Sequence, residues 1–473
     1  MSEVKLLEKD SIQNENRKKL ESILASFCDL LPSGDASALN ATVQSLDPAM
    51  VPFLEKPQLL DGIIKPYIAM IMNQIQHLIA NRDSSKIDAL LAVLYSVIRV
   101  RGIKTAVMYF PNEVSLLSPL VHLLKQYDEA DSSSWKSQYV LLYWIQLLLL
   151  SPFDISTIQE EHEDLIGEIY SLSMLYLPRT DITGDVTSTL LAHLLSRHDV
   201  APQYLRPSLQ LFQTHLQSAS PLARNTAAAL LALLKLISLE DVQQVADDMI
   251  QLFLPLCQEI TQDDANGPQL RILAMKISAR ILALQLQLAY HAAGVLLPDD
   301  GWQRTRPAGM DEAPLADALL EPLSAGVDAL LALLEDETTC VREKAAKALA
   351  RLCAFLPSDL FASVLDATLA TLHDDPAPAT AHGALFTLGC FATRHILSAA
   401  QADAVVAAMP PFLLYRLHQA AAPTAVRDTA CFVLWAAAHY GAASPALTAP
   451  STLQALVLLA LTDRAVNTRR AAG

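Results

Sequence analysis

The sequence predicts an all-α fold, an α-solenoid of the HEAT/armadillo type, on three observations. The stretch Val327 to Cys353 reads as two short helices joined by a polar turn. Val327, Leu330, Leu331 and Leu334 recur at i, i+3, i+4 and i+7 and share one face. Glu335 to Thr339 break the pattern, and Val341, Ala345, Leu349, Leu352 and Leu356 form a second apolar stripe beside the small pair Ala345–Ala346. A helix pair this short leaves a whole apolar face open and needs a similar neighbour on each side. The second observation is that such neighbours exist. "ARNTAAALLALLKL" places Arg224, Ala227 and Ala228 in register with Arg342, Ala345 and Ala346, "VRDTACFVLWAA" does the same with Arg427, Ala430 and Cys431, and "DRAVNTRRAA" is a degenerate copy. Positions 224, 342 and 427 are separated by close to three and then two units of about 40 residues, the HEAT period. Third, hydrophobic residues make up 52% of the 473-residue chain, only 14 are Gly, and strand-type alternation is scarce.

Taken in order, residues 1–35 predict one amphipathic helix, from Lys5 to Leu31, closed by Pro32, Ser33 and Gly34. Residues 36–296 predict N-terminal helical repeats, with segments near 59–80, 87–102, 114–125, 135–150, 162–177, 185–196, 203–217, 221–237, 241–258 and 268–290, punctuated by clusters such as "SPFD" and "DDANGP". The run 297–314 has no helical period, so 297–325 is expected to be a linker or loop. Residues 326–473 predict further HEAT repeats. The last pair begins near Leu453 and its second helix near Asn467; two turns cannot cover the preceding repeat, so the array is expected to be truncated and its last apolar faces uncovered.

Composition excludes several classes. A formal charge of −16 disfavours a nucleic-acid binder and keeps an apolar-rich array soluble. The six cysteines (28, 257, 340, 353, 390 and 431) have no metal-type spacing and read as buried free thiols of a reducing compartment. The charged start has no apolar core of a secretory signal, and the run Tyr139 to Leu150 is too short to span a bilayer, so a cytoplasmic protein with no membrane insertion is expected. No phosphate-binding, dinucleotide, zinc-protease or nucleophile-elbow motif occurs, so neither an enzyme nor a bound cofactor or metal is expected. His193 and His198 are five apart and fall on different helix faces. The pairs Asp263–Asp264 and Asp299–Asp300 sit beside Gly and read as solvated turns. Trp135, Tyr139, Tyr143 and Trp144 read as packing between repeats, and Trp435 is placed in the core with Leu330, Leu334, Leu349 and Leu352.

Two groups of basic residues carry the remaining expectations. Arg224, Arg342 and Arg427 are repeat-turn arginines, read as an internal ladder held by acidic groups of adjacent turns. "RVRGIKT" gathers Arg99, Arg101 and Lys104 around Gly102. It reads either as charge at a helix C-terminus, where cations are favoured, or as a partner-binding turn for an acidic surface.

At these residues the chain resembles the tubulin-folding cofactor D family. "LYSVIRVRGIKTAVMYFPNEV" (94–114), "WKSQYVLLYWIQLLLLSPFDIS" (135–156), "KPQLLD" (56–61), "VREKAAKALARLCAFLP" (341–357), "HGALFTLG" (382–389), "VRDTACFVLWAAAHY" (426–440) and "DRAVNTRRAA" (463–472) are similar to that family's segments and come in its order. The 297–314 loop departs from the family in length and acidity, and 399–425 carries no family landmark. The resemblance implies a chaperone that binds β-tubulin and takes part in assembly and disassembly of the α/β heterodimer. It also implies work alongside other tubulin-folding cofactors and an Arf-like small GTPase, stimulation of GTP hydrolysis by tubulin without a nucleotide site of its own, and association with microtubules. Family members are more than twice this length, so a fragment is expected. The competing reading is a generic HEAT scaffold, such as a nuclear-transport receptor.

Overall fold

The computed structural model describes residues 2–32, 36–81, 86–127, 134–159, 163–218, 221–295, 309–419, 424–440 and 444–473. Every regular element among them is helical. The helices are α1 (Ser2–Leu30), α2 (Ala36–Met50), α3 (Asp61–Ala80), α4 (Ile87–Arg101), α5 (Ile103–Ala106), α6 (Leu117–Leu124), α7 (Trp135–Leu148), α8 (Leu165–Tyr176), α9 (Ile182–Leu195), α10 (Ala201–Leu216), α11 (Pro221–Leu236) and α12 (Leu239–Asp248). They continue as α13 (Leu254–Gln262), α14 (Pro268–Ala292), α15 (Asp317–Ala332), α16 (Thr339–Cys353), α17 (Ser358–Ala370), α18 (Pro378–Thr393), α19 (Ala399–Ala407), α20 (Pro410–Leu413), α21 (Ala425–Tyr440), α22 (Pro450–Thr462) and α23 (Val466–Ala472). The chain forms two compact units, 1–207 and 208–473. The fold is an all-α HEAT/armadillo-like solenoid.

In the first unit α2, α4, α7 and α9 pack in succession as one layer. The aromatic stripe of α7 works as packing there. Trp144 is fully buried, stands edge-on to Phe110 with ring centroids 5.4 Å apart, and donates its Nε1 proton to Pro111 O at 3.0 Å. Trp135 and Tyr139 both meet Tyr95 edge-on. In the second unit the corresponding layer runs α11, α14, α16, α18, α21 and α23. The predicted pair is present as α15 and α16: Val327, Leu330 and Leu334 on one side and Val341, Leu349, Leu352 and Leu356 on the other are buried, with Ala345 and Ala346 at the helix contact. Leu349 has no exposed surface, so Leu349→Ala is expected to cost about 2–5 kcal/mol as lost burial plus a cavity. Urea unfolding checks this, and an unchanged midpoint contradicts the assignment of α16 to the core.

Three expectations need comment. Trp435 is not in the core: it is 51% exposed and stacks on His439, because α21 turns Val426, Ala430, Val433 and Ala437 inward and leaves Trp435 on its outer face. Residues 297–308 of the expected 297–325 loop, including Asp299 and Asp300, lie outside the described residues, and within the rest α15 already begins at Asp317. In the pair α22 and α23, Leu453, Val457 and Leu461 are exposed on one side of α22. Separately, α14 is 25 residues long and apolar enough by composition to cross a membrane; most of its apolar stretch is buried, and it packs against α11, α13 and α16.

Candidate functional surface

The repeat turns of the second unit are joined by a chain of arginines and aspartates. Arg427, near the start of α21, is 5% exposed and donates from Nε to Asp463 Oδ2 at 2.6 Å, and from Nη1 to Tyr415 O at 3.0 Å. Asp463 is wholly enclosed, and its own backbone oxygen accepts from Arg469 Nη1 at 2.7 Å. The same arrangement recurs earlier. Arg271 donates to Asp336 Oδ2 at 2.6 Å, while Asp336 O accepts from Arg342 Nη1 at 2.6 Å. In both places the aspartate precedes its own repeat's arginine by six residues, offers its carboxylate to the preceding repeat and its carbonyl to the arginine of its own. Arg342 completes its set with Glu337 O, Thr339 Oγ1 and, at 3.3 Å, His382 Nδ1. The expected acidic ladder therefore describes Arg427, whereas Arg342 is held by carbonyl oxygens. Arg224 is half-buried and reaches Asn225 Oδ1 at 3.2 Å. Sequence reasoning missed Arg271 and also Arg197, which binds Leu149 O, Ser151 O, Phe153 O and Asp199. The signal available for Arg197 was the "SPFD" turn that it closes.

The carboxyls of Asp463 and Asp199 titrate low. Burial alone would push the Asp463 carboxyl up, but the Arg427 guanidinium, the Ala465 amide and Arg469 hold it below the usual carboxylate range. Asp199 behaves alike beside Arg197.

The basic turn closes α4. Gly102 adopts φ +85°, a conformation that L side chains rarely take, and its amide caps Ile98 O. Arg101 grips Asp61 with two bonds, Nε to Oδ1 at 2.5 Å and Nη2 to Oδ2 at 2.8 Å. Arg99 lies 3.8 Å from Asp47, which also takes Lys136 at 2.8 Å and Ser96 at 2.7 Å. Burial opposes ionisation of Asp47, yet Lys136, Ser96 and Arg99 together keep its carboxyl low. Lys104 is exposed and has no carboxylate partner among the described residues. The structure thus brings the three cations to one turn but ties Arg101 firmly to its own chain and Arg99 loosely, leaving Lys104 to solvent.

Other chemistry is modest. His122, Glu163 and Glu168 lie close enough to share a metal ion, as do Asp154, His198 and Asp199. Their groups already hold ion pairs or hydrogen bonds: His122 with Glu163, Lys125 with Glu168, His198 with Asp154 and Arg197 with Asp199. His193 is half-buried, and burial lowers its pKa. Asp264, on the rim of a groove of about 670 Å³ between α13–α14 and α15, reaches Arg271 Nη1 at 3.2 Å, and the neighbouring Asp263 receives the Ala265 amide. Burial pushes the thiol of Cys257 up to about 12 and that of Cys390 up to about 11, which leaves them un-ionised and unreactive at neutral pH.

Comparison with known proteins gives the following. Residues 50–216 match the family described as "Tubulin-specific chaperone D-like, ARM repeat", and residues 304–473 match its companion, "Tubulin-specific chaperone D-like, ARM repeats". Tubulin-folding cofactor D of Schizosaccharomyces pombe is 23% identical over 462 residues, covering 93% of this chain and 40% of the relative. Tubulin-specific chaperone D of Dictyostelium discoideum is 30% identical over 149 residues, covering 29% of this chain and 10% of the relative. The chain thus spans less than half the length of these relatives. Among solved structures, importin beta is similar with a TM-score of 0.44 and 14% identity, covering 94% of this chain and 55% of that one.

Proposed function

This chain belongs to the tubulin-specific chaperone D-like family, and from that premise we propose that it is a tubulin-folding cofactor that binds β-tubulin during assembly and disassembly of the α/β heterodimer. The observation that carries the reading is the match of both repeat regions to one family, at the segments that hold the V-R-G-x-K-T turn and the V-R-D-x-A-C helix. The interior supports a binding role. Its buried charges serve joints between repeats within each unit, which leaves outer surfaces to dock a protein. Other tubulin-folding cofactors and an Arf-like small GTPase are its further proposed partners. GTP hydrolysis by tubulin would be stimulated through the assembly, and the site of action is the cytoplasm, close to microtubules.

Within this reading the α4 turn is a contact point for an acidic surface, through Lys104 with Arg99 beside it. Arg101 is left out of the test, because a glutamate there would face Asp61 and strain the fold. The experiment passes the chain over immobilised tubulin and, in parallel, over a basic import-signal peptide. Retention on tubulin is expected; retention on the basic peptide alone overturns the reading in favour of a transport-receptor type of scaffold. Arg99→Glu with Lys104→Glu is expected to keep helicity and melting, since exposed pairs contribute little, and to weaken tubulin retention about threefold to tenfold, more at low salt than at physiological salt. Equal retention at both salt levels reduces these residues to helix-end charge.

A further inference from the structure

The second unit carries a continuous basic stripe that the chain's overall acidity conceals. It lies on the layer α11, α14, α16 and α18, whose members pack in that order. Lys235 stands exposed at the end of α11. Arg280 of α14 is fixed beside it, donating from Nε to Leu234 O at 2.9 Å, with Lys276 one turn earlier on the same face. Lys344, Lys347 and Arg351 recur at i, i+3 and i+7 on α16, which places them in one row. Arg394 continues the row at the end of α18.

Three observations set this stripe apart from ordinary surface charge. None of these seven cations has an ion-pair partner among the described residues, although the chain carries 50 acidic residues against 34 Lys and Arg. They crowd one another instead. Burial first, and then Lys344, Lys235, Arg351 and Lys347, depress the pKa of Lys276; Lys235 is lowered by burial and by Arg351 and Arg280. Burial and Arg351 also lower Arg280 and Arg394. A carboxylate nearby, Glu343, acts on Arg342, on His382 and on Cys390, which Lys347, Arg394 and Arg351 also face. Finally, the stripe runs into a ladder of stacked rings. Lys347 Nζ sits 5.3 Å from the centre of the Phe386 ring, and from Phe386 the stack continues through Phe432 and the exposed Trp435 to His439.

We propose that the stripe on α11, α14, α16 and α18 is a docking surface for an acidic, extended polypeptide segment. Charge complementarity selects the occupant, since a partner bearing carboxylates removes the mutual repulsion of the unpaired row. Geometry selects an extended segment. Four helices packed 8–10 Å apart make a stripe about 24–30 Å long, which about eight extended residues span. A nucleic acid would meet the same local charge but also the net −16 of the whole chain, whose long-range field repels a polyanion of high charge density. The inference concerns charge and shape alone and stands whether or not the tubulin reading does.

The test is fluorescence anisotropy of labelled octaglutamate with the 473-residue chain, alongside labelled octalysine and an eight-nucleotide single-stranded RNA. Two variants of equal charge change are compared. Lys235→Gln/Lys347→Gln/Arg351→Gln neutralises exposed stripe positions, and Lys18→Gln/Lys56→Gln/Lys65→Gln neutralises exposed lysines of the first unit. Circular dichroism checks that both keep parental helicity. Salt-dependent octaglutamate binding is expected, at least about tenfold weaker in the stripe variant and unchanged in the control. The proposal is overturned by absence of octaglutamate binding at low salt, by equal losses in the two variants, or by tighter binding of the RNA or octalysine than of octaglutamate.

Discussion

Gly383→Ala is expected to unfold the joint between α18 and the turn Leu333–Glu335 that follows α15. A Cβ at Gly383 would lie 2.0 Å from the backbone oxygen of Leu334 and 2.8 Å from its carbonyl carbon. The obstacle is main chain of the turn Leu333–Glu335, which cannot rotate aside, so α18 must move by more than an ångström. That movement would pull His382 from Arg342 and open the layer on both sides. Over-packing commonly costs 1–3 kcal/mol; with backbone as the obstacle about 3 kcal/mol or more is expected, a fall in melting temperature of roughly 6 °C or more. Gly326→Ala is the matched comparison. There the added methyl group meets only the tip of the Leu282 side chain, which can change rotamer, so a smaller loss is expected. Equal melting temperatures for the Gly383 variant and the parent contradict the close approach.

Removing one member of the Arg427–Asp463 pair is expected to be nearly as damaging. Both side chains are enclosed, so Arg427→Met leaves a carboxylate in the interior without its cation, and about 3–5 kcal/mol should be lost. The double variant Arg427→Met/Asp463→Leu removes both charges and should recover part of that loss, giving a coupling energy of the kind a double-mutant cycle resolves. The pair also fixes a pH dependence. The folded Asp463 carboxyl titrates below its unfolded value, so the folded state binds protons less readily than the unfolded chain. Its stabilisation is complete above about pH 4 and is lost as the pH falls through the depressed folded value. Asp199 and Asp47 act in the same sense. Melting followed from pH 7 downward should show the gap between parent and Asp463→Asn narrowing below about pH 4; a gap that stays constant assigns the acid limb to other groups.

Much of the fold was legible because a HEAT pair writes its stripe locally. Val327 to Leu334 and Val341 to Leu356 announce two faces within 30 residues, and the recurrence of Arg342 at Arg427 announces the stacking. What the arginines touch was not legible. Arg342 and Arg427 occupy the same place in their repeats, but one ends on carbonyl oxygens and the other on a carboxylate 36 residues away, a difference set by tertiary approach. Trp435 shows the limit of periodicity. It stands in an apolar run, and burial by pattern would place it inward, but the inward positions of α21 are filled by smaller residues that allow close helix packing. At the α4 turn the sequence showed the three cations and could not show that Asp61 already holds Arg101. The basic stripe was hidden for the opposite reason: its members are spread from Lys235 to Arg394 within a chain of net negative charge, and only stacking aligns them.

Amide hydrogen exchange of the 473-residue chain with and without α/β-tubulin is the measurement that bears most directly on the central claim, that this helical array is a tubulin-binding scaffold. Slowed exchange is expected in a contiguous set of peptides on the outer surface, among them the α4–α5 turn around Lys104, while the enclosed joints at Asp336 and Asp463 keep the protection they already have. Exchange that is the same with and without tubulin along the whole chain contradicts the claim.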